Sequence, residues 1–163
     1  MSGERAIAAG VSHRPCHGRG AFLAGGGLCS RAITTGYTED HAAAGLNTPL
    51  PPLETWHSKF QEDYEVVITI PEFTSICPKT ALPDFATITV TYVPDRSCVE
   101  LKSLKEYLLA YRNLGIFNEN VVNRVLADLV AAVAPRRATV RGVFTPRGGI
   151  QTTVTASFPH GER

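Results

Sequence analysis

Cys77 and Asp84 stand in the run Pro71-Glu-Phe-Thr-Ser-Ile-Cys77-Pro-Lys-Thr-Ala-Leu-Pro-Asp84, which holds a thiol, a lysine and two carboxylates among three prolines. Proline restricts the backbone, so side chains in such a segment are held in place. A lysine and local backbone N–H groups favour the thiolate, which is the nucleophilic form of cysteine. A carboxyl group a few residues on can fold back within reach to move a proton. The same two residues also fit a plainer reading, in which Cys77 is a small buried hydrophobe and Asp84 caps a turn, and spacing alone leaves both open.

Three further groupings carry charge or hydrogen-bonding capacity. In Glu100-Leu-Lys102-Ser103-Leu-Lys105 an apolar strand end runs into a helix start bearing two lysines and a hydroxyl. Lysine there opposes the helix dipole unless an anion is bound, so the placement suits phosphate as well as a solvated surface. Thr145-Pro-Arg147-Gly148-Gly149 is a hairpin turn, or an arginine beside open backbone N–H groups that would meet a phosphate or carboxylate. Asn118-Glu119 reads as a helix cap followed by an acid that the dipole favours. Cys16, His17, Cys29 and His41 lack the paired short spacings of a tetrahedral zinc site, so no metal is expected.

The elements that position these residues follow from hydrophobic period. Tyr64, Val66, Ile68 and Ile70 alternate with polar residues and predict a strand ending at Pro71, which leaves 71–84 as a loop. Residues 85–93 alternate again and form a second strand closed by Pro94-Asp95, followed by a short extended piece at 98–101. The spacing of Leu104, Leu108, Tyr111 and Leu114 predicts a helix over 103–114 stopped by Gly115. Asn118 then caps a second helix, antiparallel to the first, whose stripe of Val121, Val122, Val125, Leu126, Leu129, Val130 and Val133 ends before Pro135. Residues 138–144 and 151–158 make a C-terminal hairpin around 146–149. Two strands, two helices and two strands make an α+β fold with an antiparallel sheet covered by helices on one face. The other face, with Thr87, Thr89, Thr91, Thr153 and Thr155, is only mildly polar and is expected to meet other subunits.

The chain has 163 residues, a formal net charge of +1 and 44% hydrophobic residues, which suits one domain and removes the broad positive field that nucleic-acid or anionic-membrane binding exploits. No apolar run approaches the roughly 18 residues of a membrane span, so the protein reads as soluble and cytoplasmic. The four cysteines are irregularly spaced and are read as thiols. Residues 1–52 are rich in glycine and alanine, end in Pro51-Pro52 and show no sustained period. They are expected to be a disordered extension, dispensable for activity, ahead of a catalytic domain at 53–163.

The runs PEFTSICPKTALPDFATITVTYVPD (71–95), VELKSLKEYLLAYRN (99–113), FNEN (117–120) and FTPRGG (144–149) resemble the 7-cyano-7-deazaguanine reductases, NADPH-dependent nitrile reductases of queuosine biosynthesis (a tRNA modification), in their short single-module form. The resemblance covers roughly residues 53–158 and leaves the N-terminal extension without a counterpart. It implies the tunnelling fold, a four-stranded antiparallel sheet with two helices in the order ββααββ, assembled into a ring-like homo-oligomer with active sites between subunits. It further implies that Cys77 adds to the nitrile to give a thioimide and that Asp84 donates a proton. The 7-cyano-7-deazaguanine substrate would be held by Val99, Glu100, Leu101, Asn118 and Glu119, and NADPH by Lys102, Ser103, Lys105, Arg147 and Gly148.

The chain departs from the pattern in two places. Asn118 stands where the family often has histidine, which removes a titrating group, and Glu106 replaces a large apolar residue at a position expected to be exposed. No G-x-G-x-x-G is present, so the cofactor would lie in an unconventional cleft. Two other readings remain: an archaeosine-type relative that forms an amidine without NADPH, and a non-catalytic purine or pterin binder of the same fold.

Overall fold

Residues 36–60 and 62–159 are described by a computed structural model. The elements in chain order are α1 (Glu39–Ala43), β1 (Thr55–His57), β2 (Val66–Ile76), β3 (Pro83–Val93), β4 (Ser97–Val99), α2 (Leu101–Leu109), a 3-10 turn at Ala110–Asn113, α3 (Asn118–Val133), β5 (Arg137–Phe144) and β6 (Thr153–Phe158). β2-β3-β5-β6 form a four-stranded antiparallel sheet, and β1 pairs with β4 in a separate two-stranded ribbon.

Period-2 alternation in β3 and β5 sends Ile88, Val90, Tyr92 and Val140 to one face, where Val121, Val122, Val125, Leu126 and Leu129 of α3 and Leu104, Tyr107 and Leu108 of α2 cover them. Each large aliphatic side chain buried in this way contributes roughly 1.5–3 kcal/mol. Tyr107 donates to Asp128 Oδ2 at 2.6 Å and shares a 2.8 Å hydrogen bond with Tyr111, which ties α2 to α3. Across the sheet, the threonines 87, 89 and 91 are half-buried and 153 and 155 exposed, and among the described residues no helix covers them.

Several boundaries differ from the sequence expectation. β2 runs through Pro71 to Ile76, so most of the expected loop at 71–84 is strand and only residues 77–82 turn. β2 is an edge strand, where a missing N–H is tolerated, and the register shifts between Ile70 and Phe73 as a bulge. α2 starts at Leu101 instead of 103 because the Glu100 side chain caps it, accepting from Lys102 N and Ser103 N. It tightens into a 3-10 turn before Leu114, so Gly115 does not stop the helix. Gly115 instead lies in a bridge to Ile76. Phe117, not Asn118, is the N-cap of α3, and no side chain caps it.

Residues 36–52, expected within an unstructured extension, carry α1 and lie against α3: Asn120 Nδ2 donates to Ala42 O, and Arg124 donates to the carbonyls of Gly45 and Thr48. Residues 1–35 of that expected extension, with Cys16, His17 and Cys29, lie outside the described residues. His41 bonds Thr38 at 2.7 Å, and among the described residues no cluster of three metal-ligating side chains occurs. No helix among them is long and apolar enough to cross a membrane.

Candidate active site

Three chain segments meet at one end of the four-stranded sheet. β2 delivers Cys77 into a tight turn, in which Cys77 N–H donates to Leu82 O and Ala81 N–H donates to Cys77 O, both at 2.9 Å. β3 then begins with Pro83 and Asp84, and pairing sets Asp84 opposite Ser75. The β5–β6 hairpin folds onto the same end, with Thr145 N–H donating to Phe85 O at 2.8 Å. Arg147 and Ile150 exchange two backbone hydrogen bonds around Gly148 (φ 58°) and Gly149 (φ 81°). Such a two-residue turn with both φ values positive is a glycine turn of the hairpin type. It points the Arg147 guanidinium at Asp84, Nη2 to Oδ1 2.9 Å.

The α2–α3 connection closes another side. Ile76 N–H donates to Leu114 O at 3.0 Å and Ile116 N–H to Ile76 O at 2.9 Å, which brings Asn118 and Glu119 to the neighbourhood of the Cys77 turn. Glu119 is exposed, whereas Asn118 Oδ1 is buried without a hydrogen-bond partner, as is Ser75 Oγ. Buried polar atoms of this kind are rare, and they cluster where a ligand or water completes the bonding.

The surroundings shift Cys77 and Asp84 in opposite directions. Burial pushes the Cys77 thiol up, but donors from the Thr80 hydroxyl, the Thr80 and Lys79 amides and Arg147 outweigh it, and the net shift is downward. Asp84 is shifted upward, because burial outweighs the lowering by the Arg147 charge. The thiolate form of Cys77 is thereby favoured, and Asp84 keeps its proton to higher pH than an ordinary aspartate. Thr80 gave no signal in the sequence. Arg147 was visible as a turn residue suited to an anion, and within the chain its guanidinium meets the Asp84 carboxyl group.

The remaining predicted residues lie elsewhere. Val99 is buried and its N–H donates to Tyr92 Oη at 3.1 Å, while Glu100 N–H donates to Glu54 O at 2.8 Å. Tyr92 is eight residues from Asp84 along β3, roughly 26 Å at ~3.3 Å per residue. Val99, Glu100, Leu101 and Lys102 therefore sit at the far end of the sheet from Cys77. Backbone N–H groups of Lys102 and Ser103 bind the Glu100 carboxylate and hold it below the usual carboxylate range. Ser103 is buried, donating to Glu100 O and accepting from Glu54 N. Lys102 and Lys105 are exposed. Lys105 borders a groove of about 360 Å³ between α2 and β2, lined by Ile68, Ile70, Phe73, Leu104 and Leu108. Glu106 is exposed, 4.0 Å from Lys102 Nζ. Among the described residues the two cysteines, Cys77 and Cys98, are free.

A thiol with convergent donors, a buried acid and a guanidinium stand together at one end of an antiparallel α+β scaffold, and a family model described as "QueF-like protein" matches residues 83–162, a span that holds Asp84 and Arg147. A curated relative from Elusimicrobium minutum, an NADPH-dependent 7-cyano-7-deazaguanine reductase, is 53% identical over 126 residues, covering 77% of this chain and 96% of the relative. A reductase of the same name from Chlorobaculum tepidum is 64% identical over 96 residues, 59% of this chain and 82% of the relative. The chain belongs to the family of NADPH-dependent 7-cyano-7-deazaguanine reductases. The match of 126 residues is longer than the span 53–163, so it reaches into the segment expected to have no counterpart. The apo crystal structure of an archaeosine synthase QueF-Like shares the fold, with a TM-score of 0.54 and 24% identity over 57% of this chain and 91% of that one.

Proposed function

We propose that the protein reduces the nitrile of 7-cyano-7-deazaguanine to the aminomethyl group at the expense of NADPH, with Cys77 as nucleophile and Asp84 as proton donor. The observation that carries this reading is the convergence of Cys77, Asp84 and Arg147 at one sheet end in a chain 53% identical to such a reductase. The Cys77 sulfur adds to the nitrile carbon. One C–N π bond breaks, and its electron pair on nitrogen takes the Asp84 proton, leaving a thioimide on the enzyme. Arg147 stabilises the carboxylate that results. Reduction from nitrile to primary amine takes four electrons, which NADPH supplies as two hydrides when bound. A protonated thioimide accepts hydride far better than a nitrile, which is the gain from covalent capture. Glu119 offers its carboxylate to the adjacent N–H donors of a guanine-like edge, and Asn118 Oδ1, without a partner, accepts another.

Lys102 and Lys105 fit the cofactor: both ammonium groups are exposed, and Lys102 stands at the start of α2 with only a distant carboxylate nearby. Arg147 bonds Asp84 through Nη2 and is half exposed, so its other N–H donors remain for a cofactor phosphate, with Gly148 beside it in the turn. Because Val99, Glu100 and Leu101 lie a sheet length from Cys77, the reading is completed by a ring-like homo-oligomer of tunnelling-fold subunits, in which one copy brings the Cys77 end to the α2 end of another. The unpaired edges of β2 and β6 and the helix-free sheet face suit that assembly.

The test is NADPH oxidation followed at 340 nm with 7-cyano-7-deazaguanine, with NADH as control and product mass checked. Two NADPH consumed per aminomethyl product is the expected result. A covalent Cys77 adduct without oxidation would replace this reading with amidine formation, and neither adduct nor oxidation would leave only heterocycle binding.

A further inference from the structure

Tyr37 is 64% exposed, so burial does not explain why its ring is held in place. It stacks on Phe117 with centroids 5.3 Å apart and planes at 14°, and Lys79 Nζ sits 5.3 Å from its centroid on the Cys77 turn. Phe117 immediately precedes Asn118 and Glu119, and the Lys79 backbone N–H is one of the donors that lower the Cys77 thiol. A single ring thus touches both halves of the site.

The segment carrying that ring is clamped at several points along α3 and the α2–α3 connection. Asn120 Nδ2 donates to Ala42 O at 2.8 Å, and Arg124 donates to Gly45 O and Thr48 O. Gly45, at φ +77°, passes so close to the connection that an added Cβ would lie 2.6 Å from Gly115 O and 2.8 Å from Ile116 Cβ. Only glycine fits this approach. The clamp therefore specifies where residue 37 emerges.

We propose that residues 36–48 form a strap across the active-site end of the molecule and that Tyr37 is a positioning residue, coupling the start of α3 to the Cys77 turn through Phe117 and Lys79. The proposal rests on the function given above. Loss of the ring releases Phe117 and lets the Lys79 amide drift from the thiolate, so substrate affinity falls and the thiol becomes harder to ionise.

Two readouts on the full-length protein test it: the concentration of 7-cyano-7-deazaguanine giving half-maximal adduct by intact mass, and the pH midpoint of Cys77 alkylation by iodoacetamide without substrate. Tyr37→Ala should raise the first by about three- to tenfold, the range of an aromatic pair contact, and move the second to higher pH. Tyr37→Phe, which keeps the ring, should match the parent in both. Asn120→Ala, which loosens the strap without touching either ring, should move both in the direction of Tyr37→Ala. Both readouts unchanged in Tyr37→Ala would overturn the proposal, as would Tyr37→Phe behaving like Tyr37→Ala. If the parent itself forms no adduct, the proposed reaction fails, and the alkylation midpoint alone then decides for or against the strap.

Discussion

The two ends of the four-stranded sheet are built on different principles. At the Cys77 end, strand pairing, a glycine turn and a bridge to the α2–α3 connection bring a thiol, an acid and a guanidinium together inside one chain, with Arg147 2.9 Å from a buried Asp84. At the α2 end, Lys102 is exposed with Glu106 no nearer than 4.0 Å, and Glu100 is occupied in capping the helix. Bond-making needs groups fixed before the substrate arrives, because reorganising dipoles during the reaction costs barrier height. Attraction of phosphates works with exposed flexible cations, whose hydration is easily exchanged. On the proposed function, the contrast assigns bond-making to one end and cofactor recruitment to the other.

The sharpest way to break that comparison is Cys77→Ala. It should abolish the covalent adduct by intact mass and lower turnover by about 10³-fold or more, while equilibrium dialysis still shows substrate binding. Next comes Asp84→Asn, expected to slow turnover by about 10²-fold or more in a steady-state assay. If it does not, the acid lies elsewhere and the Cys77 end is only half the catalyst.

Arg147→Met refines the same end through pH. The guanidinium lowers both groups, so its removal raises both: the thiol ionises at higher pH and Asp84 keeps its proton to higher pH. The rising limb, which follows thiolate formation, and the falling limb, which follows loss of the acid, should both move to the alkaline side in a pH–rate profile. A profile in which only one limb moves would separate the two groups.

For the recruiting end, Lys102→Ala and Lys105→Ala should each raise the KM for NADPH by about tenfold, the scale of one charge-assisted contact, with adduct formation unchanged. The smallest signal tests whether the ends of different copies meet. Glu100→Gln should be inactive alone if it holds substrate, and its co-assembly with Cys77→Ala should then recover up to about a quarter of parental activity if sites are shared between subunits, and none if each chain completes its own.

Much of this was legible in the chain. The alternation of 85–93, the apolar stripe of α3 and the Gly148-Gly149 turn announce their elements because period and glycine act locally. Pro71 misled, since its effect depends on whether the strand lies at a sheet edge, which only pairing determines. Residues 36–52 lack any period and so read as an extension. They are ordered by contacts with Asn120 and Arg124, some eighty positions away, and such contacts leave no local pattern.

The sequence by itself marked Cys77 and Asp84 as candidates, showed the cations at the start of α2 and the antiparallel α+β class, and carried the family resemblance, because each depends on residue type and short-range spacing. Tertiary structure alone decided that Arg147 pairs with Asp84, that Thr80 lowers the Cys77 thiol, that Glu100 caps α2 and that Tyr37 lies between Phe117 and Lys79. Those roles depend on distances between segments remote in the chain, and side-chain pairing across such gaps is selected by packing and desolvation, which exist only once the core has formed.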